Sequence, residues 1–133
     1  MPPLRILSLL AAIIWIALEF YLSSQSTLPS LHLFVFEDKV IHAIYYGVLA
    51  VFFLGSFHFT APDFGKKERV SAVLLASMYG VFDEIHQLYV PGRYADIWDW
   101  VADTSGAILA VGLLSWGLRR YWNLQRRGTD FNS

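Results

Sequence analysis

The sequence predicts an all-α membrane protein, a four-span transmembrane helical bundle with both termini in the cytoplasm. Three observations carry that expectation. Hydrophobic residues make up 56% of the 133-residue chain, charged residues only 16%, and mean hydropathy is +0.45. A soluble domain carries roughly a quarter charged residues. Four windows approach the ~20 apolar residues that a helix needs to cross a bilayer. The basic residues are also distributed to one side of those windows, as shown below.

The first window, Ile6–Leu22, follows Arg5 and has no A-x-A-like cleavage site after it. It therefore reads as an uncleaved span rather than a signal peptide. The linker "SSQSTLPSLHLFVFEDK" leads to the second window, Val40–Phe59, and the loop "TAPDFGKKER" to the third, Val70–Val90. The turn "PGRYAD" precedes the fourth, Ile97–Leu118. Proline and glycine punctuate each connection. Residues 1–118 thus form one transmembrane domain, and residues 119–133 a polar cytoplasmic tail expected to fray. Arg5, Lys66, Lys67, Arg69, Arg119, Arg120, Arg126 and Arg127 fall on one side of the spans, and only Lys39 and Arg93 on the other. By the positive-inside rule the richer side is cytoplasmic. Trp98, Trp100, Trp116 and Trp122 lie near span ends, as an aromatic belt would. The expected location is a membrane, multi-pass, with the lipid bilayer as first partner.

Several function classes fall away. The chain has no cysteine, which excludes thiolate chemistry, disulfides and Cys-ligated zinc. Net charge is −1, and the basic residues sit in short segments where topology accounts for them, so no nucleic-acid partner is expected. There is no G-x-S-x-G and no H-E-x-x-H; "DEIHQ" lacks the second histidine of a zincin helix.

The polar residues of the spans gather at one depth. At about 1.5 Å of rise per residue, Glu19, Asp83 and Asp103 each sit roughly 20 Å above the cytoplasmic end of their own span. His42 and Asp99 sit roughly 25–29 Å up. One central charge costs about 2.5–3.5 kcal/mol on insertion scales, so such a layer needs partners or a task. Asp38 and His42 are i and i+4; Lys39, His42 and Tyr46 follow one face. Asp83, His86 and Gln87 can share a face, with Glu84 offset by about 100°. Asp96, Asp99 and Asp103 form a carboxylate stripe, and Ala102, Gly106 and Ala110 a small-xxx-small seam. Glu19 is expected to snorkel or cap at the outer interface, His58 to be interfacial, and His32 and Glu37 to be solvated linker residues.

Three ordered blocks carry a resemblance. "DKVIHAIYYGVLA" after "SSQS", then "YGVFDEIHQLYVPGR", then "DIWDWVADTSGAILA" resemble the VanZ-like family of small bacterial membrane proteins over roughly Ser23 to Leu114. The resemblance implies a multi-span helical protein of the bacterial cytoplasmic membrane with an envelope role, such as an accessory role in glycopeptide (teicoplanin) resistance. It supplies no established reaction and no cofactor. The family positions in this chain include Asp38, Lys39, His42, Tyr46, Gly80, Asp83, Glu84, Gln87, Pro91, Gly92, Arg93, Asp99, Asp103 and Gly106. Asp103 departs from it, since many members carry Asn there.

The ligand-binding set read from the residues and the resemblance together is Asp38, Lys39, His42, Tyr46, Asp83, Glu84, Gln87, Arg93, Asp99 and Asp103. No metal-ligand set is assigned. The first functional reading is an outward polar cavity for a lipid-linked precursor or a glycopeptide, with Lys39 and Arg93 as donors. The second is an intramembrane enzyme on an envelope lipid, with His42, Asp83 and Glu84 as catalytic candidates. A transporter or proton relay and a purely structural ion-pair network stay open, and so does a homo-oligomer.

Overall fold

The computed structural model describes residues 2–26, 36–57, 59–60 and 63–130. Its elements are α1 (Pro2–Ser23), α2 (Glu37–Ser56), α3 (Lys66–Gln87) and α4 (Ile97–Asp130). Between α2 and α3 lies a two-residue antiparallel ladder, β1 (Phe59–Thr60) with β2 (Asp63–Phe64). The architecture is all-helical apart from that ladder. Three helices are long and apolar enough to cross a membrane: Pro3–Ser23, Glu37–Ser56 and Ile97–Arg127. Helix α3 does not meet that measure, because Lys66, Lys67, Glu68 and Arg69 crowd one end and Asp83 and Glu84 the other.

The core is built from small residues. Ala50, Ala72, Ala76 and Ala107 are fully buried and pack with Leu54 and Val111; a second cluster joins Ala12, Tyr46 and Leu49. In lipid no hydrophobic force draws apolar helices together, so close van der Waals contact between small residues does that work. Helices α2 and α4 share the most extensive interface. A Cβ added at Gly106 would overlap the Ala43 backbone, and one at Gly47 would stand 3.1 Å from the Gly106 carbonyl oxygen and 3.3 Å from Ala110 Cβ. The two backbones therefore meet through Gly106. Large apolar side chains face outward instead: Ile13 and Ile14 on α1, Ile44 on α2, Leu74 and Met78 on α3, and Leu109 and Leu113 on α4 are all exposed.

Several boundaries and placements differ from expectation. Helix α2 begins at Glu37, which is buried at its N-terminus rather than solvated in a linker. Helix α3 ends at Gln87, where the amides of Leu88, Tyr89 and Val90 switch to carbonyls three residues back. A turn follows in which the Arg93 amide donates to the Val90 carbonyl, and Gly92 takes φ +82°, a value that Pro91-Gly92 favours in a type II turn. The tail does not fray at Leu118. Helix α4 runs on to Asp130, since no proline follows and leucine, arginine and glutamine are strong helix formers. Glu19 turns inward and is buried. His32 and His58 lie outside the described residues.

Polar contacts also tie the end of the bundle that carries the basic residues. Asp63 is buried there; its Oδ2 accepts from Arg69 Nη1 at 2.7 Å and lies 3.6 Å from Arg119 Nε. Arg5 Nε donates to the Ser56 carbonyl at 3.0 Å, which joins α1 to the end of α2.

The Gly106 contact yields a direct test. Gly106→Val should fail to give folded protein or melt at least about 10 °C lower in detergent, because backbone would have to move. Gly112, where an added methyl would meet nothing within 4 Å, should accept alanine with a change of no more than about 2 °C.

Candidate functional site

The site lies at the opposite end from Asp63, where the last turns of α1 and α3 meet the first turns of α2 and α4. Its outermost feature is Lys39. The ammonium nitrogen stands 2.5 Å from Asp99 Oδ1, 2.6 Å from Asp96 Oδ2 and 3.1 Å from Asp38 Oδ2. Asp96 has a second duty: its Oδ1 accepts from the Trp98 amide at 2.9 Å, which makes it the N-cap of α4. A third tie comes from α3, as Glu84 Oε2 accepts from the Asp96 amide at 2.6 Å. This triple pairing joins α2, α3 and α4 at one point. Asp96 belongs to the carboxylate stripe visible in the sequence but not to the ligand-binding set expected from it. The N-cap position directly before Ile97 was the signal.

One turn deeper, His42 Nδ1 donates to Asp103 Oδ1 at 2.9 Å, and His42 Nε2 lies 3.9 Å from Asp99 Oδ2. Asp103 is fully buried. It reaches that position because Gly80 on α3 has no side chain: a Cβ there would stand 2.8 Å from Asp103 Oδ2. Tyr46, one turn along α2, is fully buried and its ring lies parallel to that of His42 at 6.3 Å. On α3, Gln87 Nε2 donates to Asp83 Oδ2 at 2.9 Å. Below this layer Trp100 Nε1 donates to the Ser77 carbonyl, and the hydroxyls of Ser77 and Thr104 hydrogen-bond at 2.8 Å.

A cavity of about 310 Å³ opens beside this layer, with Glu19, His42, Asp83, Gln87 and Arg93 among its lining residues. Glu19, Ser23 and Tyr45 also line it and were not in the expected set. For Glu19 the shared depth was a usable signal; for Ser23 and Tyr45 there was none. Arg93 Nε is buried and has no hydrogen-bond partner among the described residues. The two cations expected to serve as donors thus differ in kind. Lys39 is held by three carboxylates, whereas Arg93 is turned to the cavity.

One of the expected groupings comes apart in space. His86 leaves the face of Asp83 and Gln87, stacks on Phe20 at 4.4 Å and pairs with Ser24 at 2.9 Å. Glu84, offset around α3, borders a separate apolar groove of about 450 Å³ lined by Val81, Leu88, Ile97 and Trp100. Asp38 stays exposed and, among the described residues, touches the layer through Lys39.

The family model for VanZ/LLP1 matches residues 7–119, which include every helix in whole or large part and the whole of this site. No curated protein and no solved structure matches the chain.

The hydrogen bond from Lys39, followed by that from the Trp98 amide, holds the Asp96 carboxyl below the usual carboxylate range. A depressed folded-state pKa stabilises the fold above the unfolded value of about 3.9, and the contribution is lost as pH falls through the folded value. Carboxyl-carbon NMR should find Asp96 still ionised where ordinary aspartates are half protonated. In Lys39→Gln its titration should move up toward the ordinary range. An Asp96 that titrates normally in the wild-type chain would contradict the Lys39 pairing.

Proposed function

The chain belongs to the VanZ/LLP1 family, and we propose that it is a four-span membrane protein whose external cavity binds an anionic cell-envelope ligand. In this reading α3 also crosses the bilayer. It is 22 residues long, roughly 33 Å, and Val70, Leu74, Met78, Val81 and Ile85 give it an exposed apolar face. Its charged ends then fall at the two membrane surfaces, with Lys66, Lys67 and Arg69 in the cytoplasm together with both termini. Reporter fusions after Phe64 and Phe131 should behave as cytoplasmic and a fusion after Pro29 as external. An external signal from the C-terminus would refute this orientation.

One observation carries the ligand reading: the buried Nε of Arg93, without a hydrogen-bond partner among the described residues, on a cavity that Glu19, Asp83, Gln87 and the apolar Leu22 and Ile41 also line. A planar guanidinium binds phosphate or carboxylate through two parallel hydrogen bonds, which an ammonium does not reproduce. The cavity volume, near the lower end for small-molecule sites, suits a headgroup and not a whole lipid-linked glycan. Candidate ligands are a lipid-linked precursor, through its phosphate, or a glycopeptide, through its carboxylate; the second would fit an accessory role in glycopeptide resistance. Asp83, Gln87 and Glu19 would take hydroxyl and amide donors of the same ligand.

A second reading is intramembrane catalysis on an envelope lipid, favoured by the His42–Asp103 hydrogen bond. A carboxylate that fixes one ring nitrogen orients the other as a general base, with Asp83 or Glu84 nearby.

Arg93→Lys separates ligand binding from packing. In nanodiscs the variant should melt within about 2 °C of wild type yet retain a polyprenyl phosphate about tenfold less well by native mass spectrometry. Melting far below wild type, or full retention, would refute the anion site. Release of phosphate or headgroup by the wild-type chain, abolished in His42→Gln, would establish the catalytic reading instead.

A further inference from the structure

The polar layer holds more carboxylates than its cations can balance. Lys39 pairs with Asp38, Asp96 and Asp99. Among the described residues the other buried carboxylates at this end are Glu19, Asp83, Glu84, Asp103 and, at the start of α2, Glu37, and the other cationic groups beside them are His42 and Arg93. Burying charge without a counter-charge costs several kcal/mol per ion even after relaxation. Either protons or a bound cation must make up the difference.

The arrangement of three of these groups favours a cation. His42, Glu84 and Asp103, from α2, α3 and α4, each offer one donor atom, and the three atoms lie within 4.8 Å of one another. His42 Nδ1 and Asp103 Oδ1 are 2.9 Å apart, and the ion would take the place of the proton that Nδ1 donates to Asp103. Ligands of a tetrahedral zinc with bonds of about 2.1 Å are separated by about 3.4 Å, so donors that all lie within 4.8 Å of one another need only modest side-chain adjustment to share one ion. A second observation points to a ligand independently of the clustering. Glu84 is 8% exposed, and after Oε2 accepts from the Asp96 amide its Oε1 is left buried with no hydrogen-bond partner among the described residues. Asp103 Oδ2 is in the same condition, on a residue with no solvent exposure at all.

We propose that His42, Glu84 and Asp103 form a divalent transition-metal site. The donor set decides the class of ion. Magnesium and calcium take oxygen ligands, whereas one imidazole with two carboxylates suits Zn²⁺, and Mn²⁺ less tightly. One neutral imidazole and two carboxylates bring two negative charges, which a divalent ion cancels. Three protein ligands leave further positions open, as catalytic zinc sites do. His42 borders the polar cavity and Glu84 the apolar groove, so the site sits in the wall between two openings and an ion has a way in. The backbone already supplies the orientation: Gly80 admits Asp103, and the Asp96 amide fixes Glu84. The site stands whatever ligand the cavity takes, since none of its three donors is Arg93.

The test uses the full chain with a tag free of histidine, purified in detergent and stripped with a chelator. Isothermal titration with ZnCl₂ should find one ion per chain, with MnCl₂ weaker and MgCl₂ weaker again. Glu84→Gln keeps an acceptor for the Asp96 amide, so it should fold and melt near wild type while binding Zn²⁺ at least tenfold more weakly. Asp103→Asn and His42→Gln should lose the ion. His86→Gln, a change at the nearby histidine held by Ser24, should leave the affinity unchanged. The proposal is overturned if stripped, folded wild type takes up no Zn²⁺, which would assign the charge balance to protons. It is equally overturned if Glu84→Gln binds as wild type does, or if His86→Gln removes the ion.

Discussion

The contact between Gly106 and the Ala43 backbone sets the distance between α2 and α4, and the polar layer depends on that distance. His42 and Asp103 lie one residue before Ala43 and three before Gly106 respectively, so their hydrogen bond forms directly beside the crossing. Lys39 and Asp99 sit one turn further out on the same two helices and are brought together by the same approach. A wider crossing would leave both pairs apart, with charges in a region of low dielectric and no partner. The seam of small residues is therefore what makes the charges tolerable.

Helix α3 joins the same scheme by a different route. Its Gly80 yields space to Asp103 and Trp100, and Ser77 accepts the Trp100 indole. Its Glu84 then reaches the Asp96 amide at the start of α4. Consecutive residues on this helix serve different sides: Asp83 lines the polar cavity and Glu84 the groove toward α4. Helix α1 is held more lightly. Trp15 donates to the Tyr45 carbonyl at 3.0 Å and Tyr79 to the Ile16 carbonyl at 3.2 Å, while Glu19 and Ser23 close one side of the cavity.

The two ends of the bundle use charge differently. At one end Asp63 gathers Arg69 and Arg119 and fixes the loop before α3 to the extended part of α4. Both Asp63 oxygens there have a donor, the Phe64 amide for one and Arg69 for the other. At the other end carboxylates exceed donors, and buried oxygens of Glu84 and Asp103 lack partners among the described residues. Paired charges mark the first end as a fastening, and the unmatched ones at the second are the observation on which the proposed ligand and ion sites rest.

Hydropathy and periodicity are local properties, so the sequence alone determined the helical class, three of the apolar spans, the gathering of charged residues toward one end of the helices and the seam through Gly106. The three blocks quoted from it were also enough to point to the family that the match over residues 7–119 establishes. What it did not determine was how each helix is turned about its own axis. That angle is settled by packing, and it decided that Glu19 faces inward, that His86 turns to Phe20 and Ser24, and that Lys39 is spent on three aspartates while Arg93 faces the cavity. The fastening of α4 to the loop before α3 was likewise hidden, because the Arg119–Asp63 contact brings together residues far apart in the chain. The grouping of His42, Glu84 and Asp103 belongs to the tertiary structure entirely: three helices each contribute one donor, and only their crossing distances make the three into a set.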